Sequence, residues 1–370
     1  MDIVFRADAS LDIGTGHVMR CLTLADALRR RGANCRFICR EHPGHLVDFI
    51  HQQGYESHIL PCLESGEFMD RHDKQGPQVG HSEWLGASWY DDAQQTLSGL
   101  DGGPVDWLVV DHYALDSDWE ALMRPVCRRL MVIDDLADRA HECDLLLDQN
   151  LGRVRNDYTH LVSPKCITLT GPTYALLRPE FAELRPYSLS RRSRPEFRRL
   201  LITMGGVDKD NATCSVLEAL RECLLPTGCR ISVVMGSNAP WLAQVHNLAE
   251  QMPWPTEVLV NVSDMARVMA ESDMAIGAAG STSWERCSLG LPSIVVVLAE
   301  NQRSIASALQ ISGAAISMKL ESMAAELHKF FNKGGGDASW LKSTSAIAAN
   351  LTDGEGASFV CNMMYTEETR

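Results

Sequence analysis

The chain has 370 residues, 45% hydrophobic and 22% charged, with 48 acidic against 34 basic side chains for a formal charge of −14. This length exceeds one ordinary core and predicts two domains, while the acidic balance excludes a general nucleic-acid surface, which needs excess Lys and Arg. No run of about 20 apolar residues could span a bilayer and the first residues lack the blocks of a signal peptide, so a cytoplasmic, enzyme-sized protein is expected, and a monomer is taken as its separate default.

Ile3, Val4 and Phe5 read as a buried strand, and Val18, Cys21, Leu22, Ala25 and Leu28 recur at helical spacing. Between them Gly14 and Gly16 permit a tight turn. His17, in GTGH, therefore falls at a strand-to-helix turn, on the side of an open α/β sheet where ligands bind. A neutral imidazole there can act as a base near pH 7; a helix cap is the alternative. The stretch is neither GxGxxG nor GxxxxGKS/T.

Strands are predicted at Cys35–Cys39, Tyr55–Leu60 and Trp107–Val110, with a helix over Pro43–Gln53 closed by Gly54. Apolar runs that are polar only at their ends suit a parallel sheet covered on both faces. The third strand ends at Asp111, His112 and Tyr113. The polar stretch Pro61–Pro104, with His72, His81, Trp84 and Trp89, reads as an insertion holding one helix from Ser88 to Leu97. It either lines the substrate or is a surface excursion. Ser117 and Glu120 have the spacing of a capping box. Strands follow at Leu130–Ile133, Asp144–Leu147 and Ile167–Thr170, with Asp134 and Asp135 at the same sheet end as His17 and Tyr113, where carboxylates act in catalysis or as caps. The twelve cysteines include no CxxC pair, so they are expected as small core residues, with no structural metal.

From Leu177 to Arg199 the chain turns rich in Pro, Ser and Arg, which predicts a linker near Arg185–Arg194 and domains of 1–186 and 187–370. The second half repeats the pattern. A strand Leu200–Met204 runs into Gly205 and Gly206; Ile231–Met235 and Val258–Val260 follow, with Ser263 placed to cap a helix reaching Glu271. Met274–Ile276 leads into GAAGSTSWE, whose Gly280, Ser281 and Thr282 can hold a diphosphate through backbone N–H groups and hydroxyls. Glu285, one turn on, can accept from two ribose hydroxyls, or can simply complement the helix dipole. Asn301 and Gln302 of LAENQ either reach sugar groups or cap the next helix. Two α/β domains whose strands end in glycines imply a cleft between them.

In this order RADASLDIGTGHVMRCLTLADAL, DHY, GPTYALLRPEF, MGGVD, NVSDM, AGSTSWE and LAENQ resemble the PseG family. Its members are nucleotide-sugar hydrolases of pseudaminic acid biosynthesis, similar to the MurG-like glycosyltransferases. The resemblance implies an α/β chain of GT-B fold, two Rossmann-like domains with mainly parallel sheets facing a central cleft. It also implies inverting hydrolysis of UDP-2,4-diacetamido-2,4,6-trideoxy-β-L-altropyranose at the anomeric carbon, with no cofactor and no metal. On it His17 is the general base, Gly14, Gly16, Tyr113, Asn301 and Gln302 meet the sugar, and Val262 presents its backbone to uracil. Gly205, Gly206 and Gly280 to Thr282 face the diphosphate, and Glu285 holds the ribose. The Pro61–Pro104 stretch, with WLG and WYDDA, resembles only the longer members.

Overall fold

The computed structural model describes residues 1–62, 81–100 and 103–368 and falls into two compact units, Met1–Leu176 with the chain from Ala357 onward, and Leu177–Gly356. His72 lies outside the described residues. The first unit holds a parallel seven-stranded sheet of β1 (Asp2–Ala7), β2 (Asn34–Arg40), β3 (Glu56–Leu60), β4 (Val105–Asp111), β5 (Cys127–Ile133), β6 (Leu145–Asp148) and β7 (Ile167–Thr170). Their spatial order is β3-β2-β1-β4-β5-β6-β7. The second holds a parallel six-stranded sheet of β8 (Arg199–Thr203), β9 (Arg230–Met235), β10 (Thr256–Val260), β11 (Met274–Ala278), β12 (Ser293–Val297) and β13 (Ala315–Lys319), in the order β10-β9-β8-β11-β12-β13.

Strand periodicity explains why the apolar runs are continuous. In the first unit Ile3, Phe5, Trp107, Val109, Met131 and Ile133 fill the core on one face, while Val4, Leu108, Val110, Leu130 and Val132 fill the core on the other. Adjacent residues point to opposite faces, and both faces are covered, so either register position takes apolar residues, and a charged one such as Arg6 is buried only in ion pairs, here with Asp8 and Asp92. Val360, Cys361 and Met364 of the helix Gly356–Glu368 return to pack into the first of these cores. All twelve cysteines are free, and eleven of them are buried as small hydrophobes.

Three local expectations give way to different structures. The stretch read as a linker at Arg185–Arg194 lies mostly within a helix, Pro179–Arg192, so the units divide ten residues earlier than the 186/187 boundary. Its basic residues are used internally: Arg185 donates to the carbonyls of Ser288 and Ala349, and Arg192 to those of Leu289, Ser272 and Met269. These carbonyls lie at the C-terminal ends of three helices, which cationic side chains complement. Ser117 and Glu120 do not form a capping box: Asp116 caps the helix Ser117–Met123 instead, and Glu120 is buried, accepting from His141 Nδ1 at 2.7 Å. Asp264, not Ser263, caps the helix Met265–Glu271, its carboxylate accepting from the Arg267 N–H at 3.0 Å.

Candidate functional site

In both sheets the chain winds outward in two directions from a central pair of strands, β1/β4 in the first unit and β8/β11 in the second. At such a switch point neighbouring loops diverge and leave a crevice beyond the carboxyl strand ends, where open α/β sheets place ligands. Most of the candidate residues lie on loops at these two edges.

In the first unit the turn after β1 is closed by Gly14, whose N–H donates to the Ser10 carbonyl at 2.9 Å with φ of +81°. Gly16 then opens the helix Gly16–Arg29, and His17 follows inside its first turn, only 7% exposed. His17 Nδ1 lies 2.6 Å from Asp111 Oδ1 at the end of β4. A carboxylate only accepts, so this contact assigns the proton to Nδ1 and leaves Nε2 as the basic nitrogen. Nε2 has no hydrogen-bond partner among the described residues.

Arg20, one turn after His17, fixes that carboxylate. Its Nε donates to Asp111 Oδ2 and its Nη2 to Oδ1, both at 2.6 Å, while Nη1 reaches Asp135 Oδ2 at 2.7 Å. Burial by itself raises the Asp111 pKa, but the Arg20 guanidinium and His17 outweigh it and hold the group well below the usual carboxylate range. Tyr113 donates its hydroxyl to Asp135 Oδ2 at 2.8 Å, and its ring meets the His17 imidazole edge-on at 4.6 Å between centroids. Asp134 is a structural neighbour, accepting from the Ala137 N–H, Arg139 and the Tyr158 hydroxyl.

The sequence marked His17 and Tyr113 but gave Arg20 no role and treated Asp111 only as a strand end. One signal was available: an arginine on a helix face otherwise made of Val18, Cys21, Leu22 and Ala25 must be paired if it is buried.

At the second unit's switch point, Gly205 (φ +94°) and Gly206 follow β8, both exposed. The Gly206 carbonyl accepts from the Gly236 N–H at 3.0 Å, locking the loop after β9 to that after β8. Gly280 follows β11 with no atom within 4 Å of where a Cβ would stand. Ser281 is exposed and makes no side-chain capping bond to the helix Thr282–Ser288, so its hydroxyl is not used as a cap. Beneath this loop Arg286, 1% exposed, donates to the Ala278 carbonyl at 2.8 Å, to Ser283 Oγ at 3.0 Å and to Thr282 Oγ1 at 3.3 Å. Burial lowers its pKa to about 10. Glu285 is partly buried, and desolvation pushes its carboxyl up to about 7 against the pull of Arg178 and Arg286. Val262 follows β10 and is partly buried. Asn301 is exposed in the turn Glu300–Gln302 after β12, whereas Gln302 spends its amide oxygen on the Leu298 N–H at 3.0 Å. Among the described residues no group of three or more His, Cys, Asp or Glu is arranged to hold a metal ion, and no helix is long and apolar enough to cross a membrane.

Residues 208–339 match the glycosyltransferase family 28 C-terminal domain. An uncharacterized protein of Methanocaldococcus jannaschii is 24% identical over 82% of this chain, which spans only 57% of that protein's length. The UDP-2,4-diacetamido-2,4,6-trideoxy-β-L-altropyranose hydrolase of Campylobacter jejuni is 25% identical, over 86% of this chain and 100% of the hydrolase. Among solved structures, the MurG protein of Acinetobacter baumannii superposes with a TM-score of 0.69 over 99% of both chains at 15% identity. The fold is therefore GT-B: two α/β units with parallel sheets of seven and six strands.

Proposed function

We propose that this chain is a nucleotide-sugar enzyme that hydrolyses UDP-2,4-diacetamido-2,4,6-trideoxy-β-L-altropyranose to UDP and the free sugar with inversion. The observation that carries this reading is the His17–Asp111–Arg20 arrangement, an imidazole whose tautomer is set by a buried carboxylate at a switch point. In the reaction a water oxygen attacks the anomeric carbon and gives its proton to His17 Nε2. The bond from that carbon to the β-phosphate oxygen breaks, and its electron pair leaves with UDP. A diphosphate is a good leaving group, so the protein must mainly position water, remove one proton and receive developing phosphate charge.

On this reading Tyr113, Gly14 and Gly16 border the sugar, and Asn301 and Gln302 offer it amides. Gly205, Gly206 and Gly280 to Thr282 face the diphosphate, the Val262 backbone meets uracil and Glu285 takes the ribose diol. The similarity to the Campylobacter jejuni hydrolase supports the choice of substrate. The glycosyltransferase match to the C-terminal half favours a second reading, transfer of the sugar to an acceptor from the same donor site.

One experiment separates them. Purified protein is incubated with the UDP-diacetamido sugar in buffer alone, and UDP and the anomer of the released sugar are followed by NMR. Inverted free sugar is expected from the native chain, and a His17→Ala or His17→Phe variant should bind UDP normally while losing about 10²- to 10⁴-fold in turnover. Unchanged turnover in those variants removes His17 from the mechanism; release only on adding an acceptor identifies a transferase.

A further inference from the structure

Trp84 and His81 belong to no function assigned so far, yet they stand beside the imidazole. The Trp84 ring stacks on Tyr113 with centroids 5.8 Å apart and planes 25° from parallel. His81 packs against Trp84 at 4.4 Å and against Tyr113 at 5.5 Å. Tyr113 itself touches His17, so four rings run outward from the base. Tyr113 is buried, whereas Trp84 and His81 are partly exposed. The outer end of the wall thus offers aromatic surface to whatever His17 acts on.

The turn that carries these rings is fixed. His81 and Gly86 flank the short helix Ser82–Leu85, both with left-handed backbone, φ +67° and +66°. A histidine seldom adopts that conformation, and such strained positions cluster at ligand sites. Gly86 packs so closely on His42 that a Cβ would come within 2.6 Å of its ring, and Leu85 is buried in the core. The rings are therefore held in place before any ligand arrives. Among the described residues no group accepts from the Trp84 indole N–H. Burial holds the His81 imidazole below its usual range, so at neutral pH it stacks as an uncharged ring.

We infer that Trp84, backed by His81 and Tyr113, is a specificity-determining residue that selects sugars carrying apolar substituents. This rests on the hydrolase reading above and names what that site discriminates. A 2,4-diacetamido-2,4,6-trideoxy sugar presents three methyl groups where an ordinary hexose has hydroxyls. An indole suits the acetamido group twice over: its face takes the methyl, and its N–H can donate to the amide carbonyl. A common hexose offers the same wall hydroxyls, of which one can accept from the indole N–H while those against the ring face lose water without gaining partners.

The test measures binding and turnover together, using the full chain, UDP, the UDP-diacetamido-trideoxy sugar and UDP-glucose. In Trp84→Ala the Kd and KM for the diacetamido sugar should rise roughly tenfold, with kcat within about threefold of wild type and the Kd for UDP alone unchanged. Trp84→Phe, which keeps a ring but loses the N–H, should recover part of the loss. Preference over UDP-glucose should shrink by the same factor, and matching thermal melts would confirm the fold. Unchanged discrimination in Trp84→Ala, or equal loss of UDP affinity, overturns the inference while leaving hydrolysis intact. A wild-type chain that binds the diacetamido sugar without hydrolysing it refutes the hydrolase reading, and the affinity ratios then decide the role of Trp84. A wild-type chain that does not bind that sugar overturns both.

Discussion

Replacing Asp111 by Asn tests the proposed base without removing it. The carboxylate receives three short bonds, from His17 Nδ1 and Arg20 Nη2 on Oδ1 and from Arg20 Nε on Oδ2, each 2.6 Å. An amide of the same shape has one accepting oxygen. Oriented toward His17, it leaves its NH2 against the Arg20 Nε–H; turned the other way, it donates to His17 Nδ1 and forces the ring proton onto Nε2, where the base should be. Either arrangement damages the site, and the second abolishes the correct tautomer. The expected fall in kcat is about 10²- to 10⁴-fold, or roughly 3–5 kcal/mol of barrier. Removing the negative charge also leaves Arg20 with Asp135 as its one remaining carboxylate, so a stability loss on the order of 3 kcal/mol accompanies it. Turnover is read as UDP release at saturating sugar, with circular dichroism melts to show that the assay temperature lies below unfolding. Because the two residues act as a unit, His17→Ala with Asp111→Asn should be no slower than His17→Ala alone. A folded Asp111→Asn enzyme with kcat within threefold of wild type, or additive losses in the double variant, would falsify the dyad.

Three further outcomes follow from the same structure. Glu285, with its carboxyl near 7 in the folded chain, should bind a ribose diol best when ionised, so UDP affinity should rise about tenfold between about pH 6 and 8 relative to Glu285→Gln, measured by calorimetry. The folded chain holds this proton more tightly than the unfolded one, so stability falls as pH rises from the ordinary carboxylate value to about 7, and melting of Glu285→Gln should lack that fall. Gly277→Ala places a methyl 2.8 Å from the Thr203 carbonyl and 2.5 Å from Arg286 Nη1 and should destabilise the second unit, whereas Gly280→Ala meets nothing within 4 Å and should melt as wild type while binding UDP more weakly. Asp92 bridges the buried Arg6 and Arg40 guanidiniums at 2.6 Å each, and Asp92→Ala should cost about 3–5 kcal/mol in chemical denaturation by stranding the buried Arg40 cation and leaving Arg6 with Asp8 as its one carboxylate.

The strands were legible because both sheet faces are covered. Continuous apolar runs such as Trp107–Val110 have few competing readings, and the observed β4 adds only Val105, Asp106 and Asp111 to it. Helix starts were less legible where two capping residues stand side by side. Asp116 beside Ser117 and Asp264 beside Ser263 can each serve the same N–H groups, and the one chosen depends on where the chain enters. The arginine-rich stretch misled for a different reason. Composition identifies residues that prefer water, but Arg185 and Arg192 find helix-end carbonyls brought together only by the tertiary fold. The return of the C-terminal helix to the first unit is equally non-local, since Val360 and Met364 pack into a core built from residues of the chain's first half.

The candidate site divides along the same line. His17 and Tyr113 could be read because each directly follows a strand or turn signal, and that placement alone aims them at a carboxyl edge. Arg20 and Asp111 could not be assigned a partnership, because their pairing depends on β1 and β4 being neighbours although about a hundred residues separate them. The consequence is chemical. GTGH identifies an imidazole but not its tautomer, and the tautomer determines whether His17 can accept a proton at the face it presents. The proposed base is therefore specified by strand order as much as by the motif: without β4 beside β1 there is no Asp111 acceptor for Nδ1–H, and the same four residues would form only a helix start.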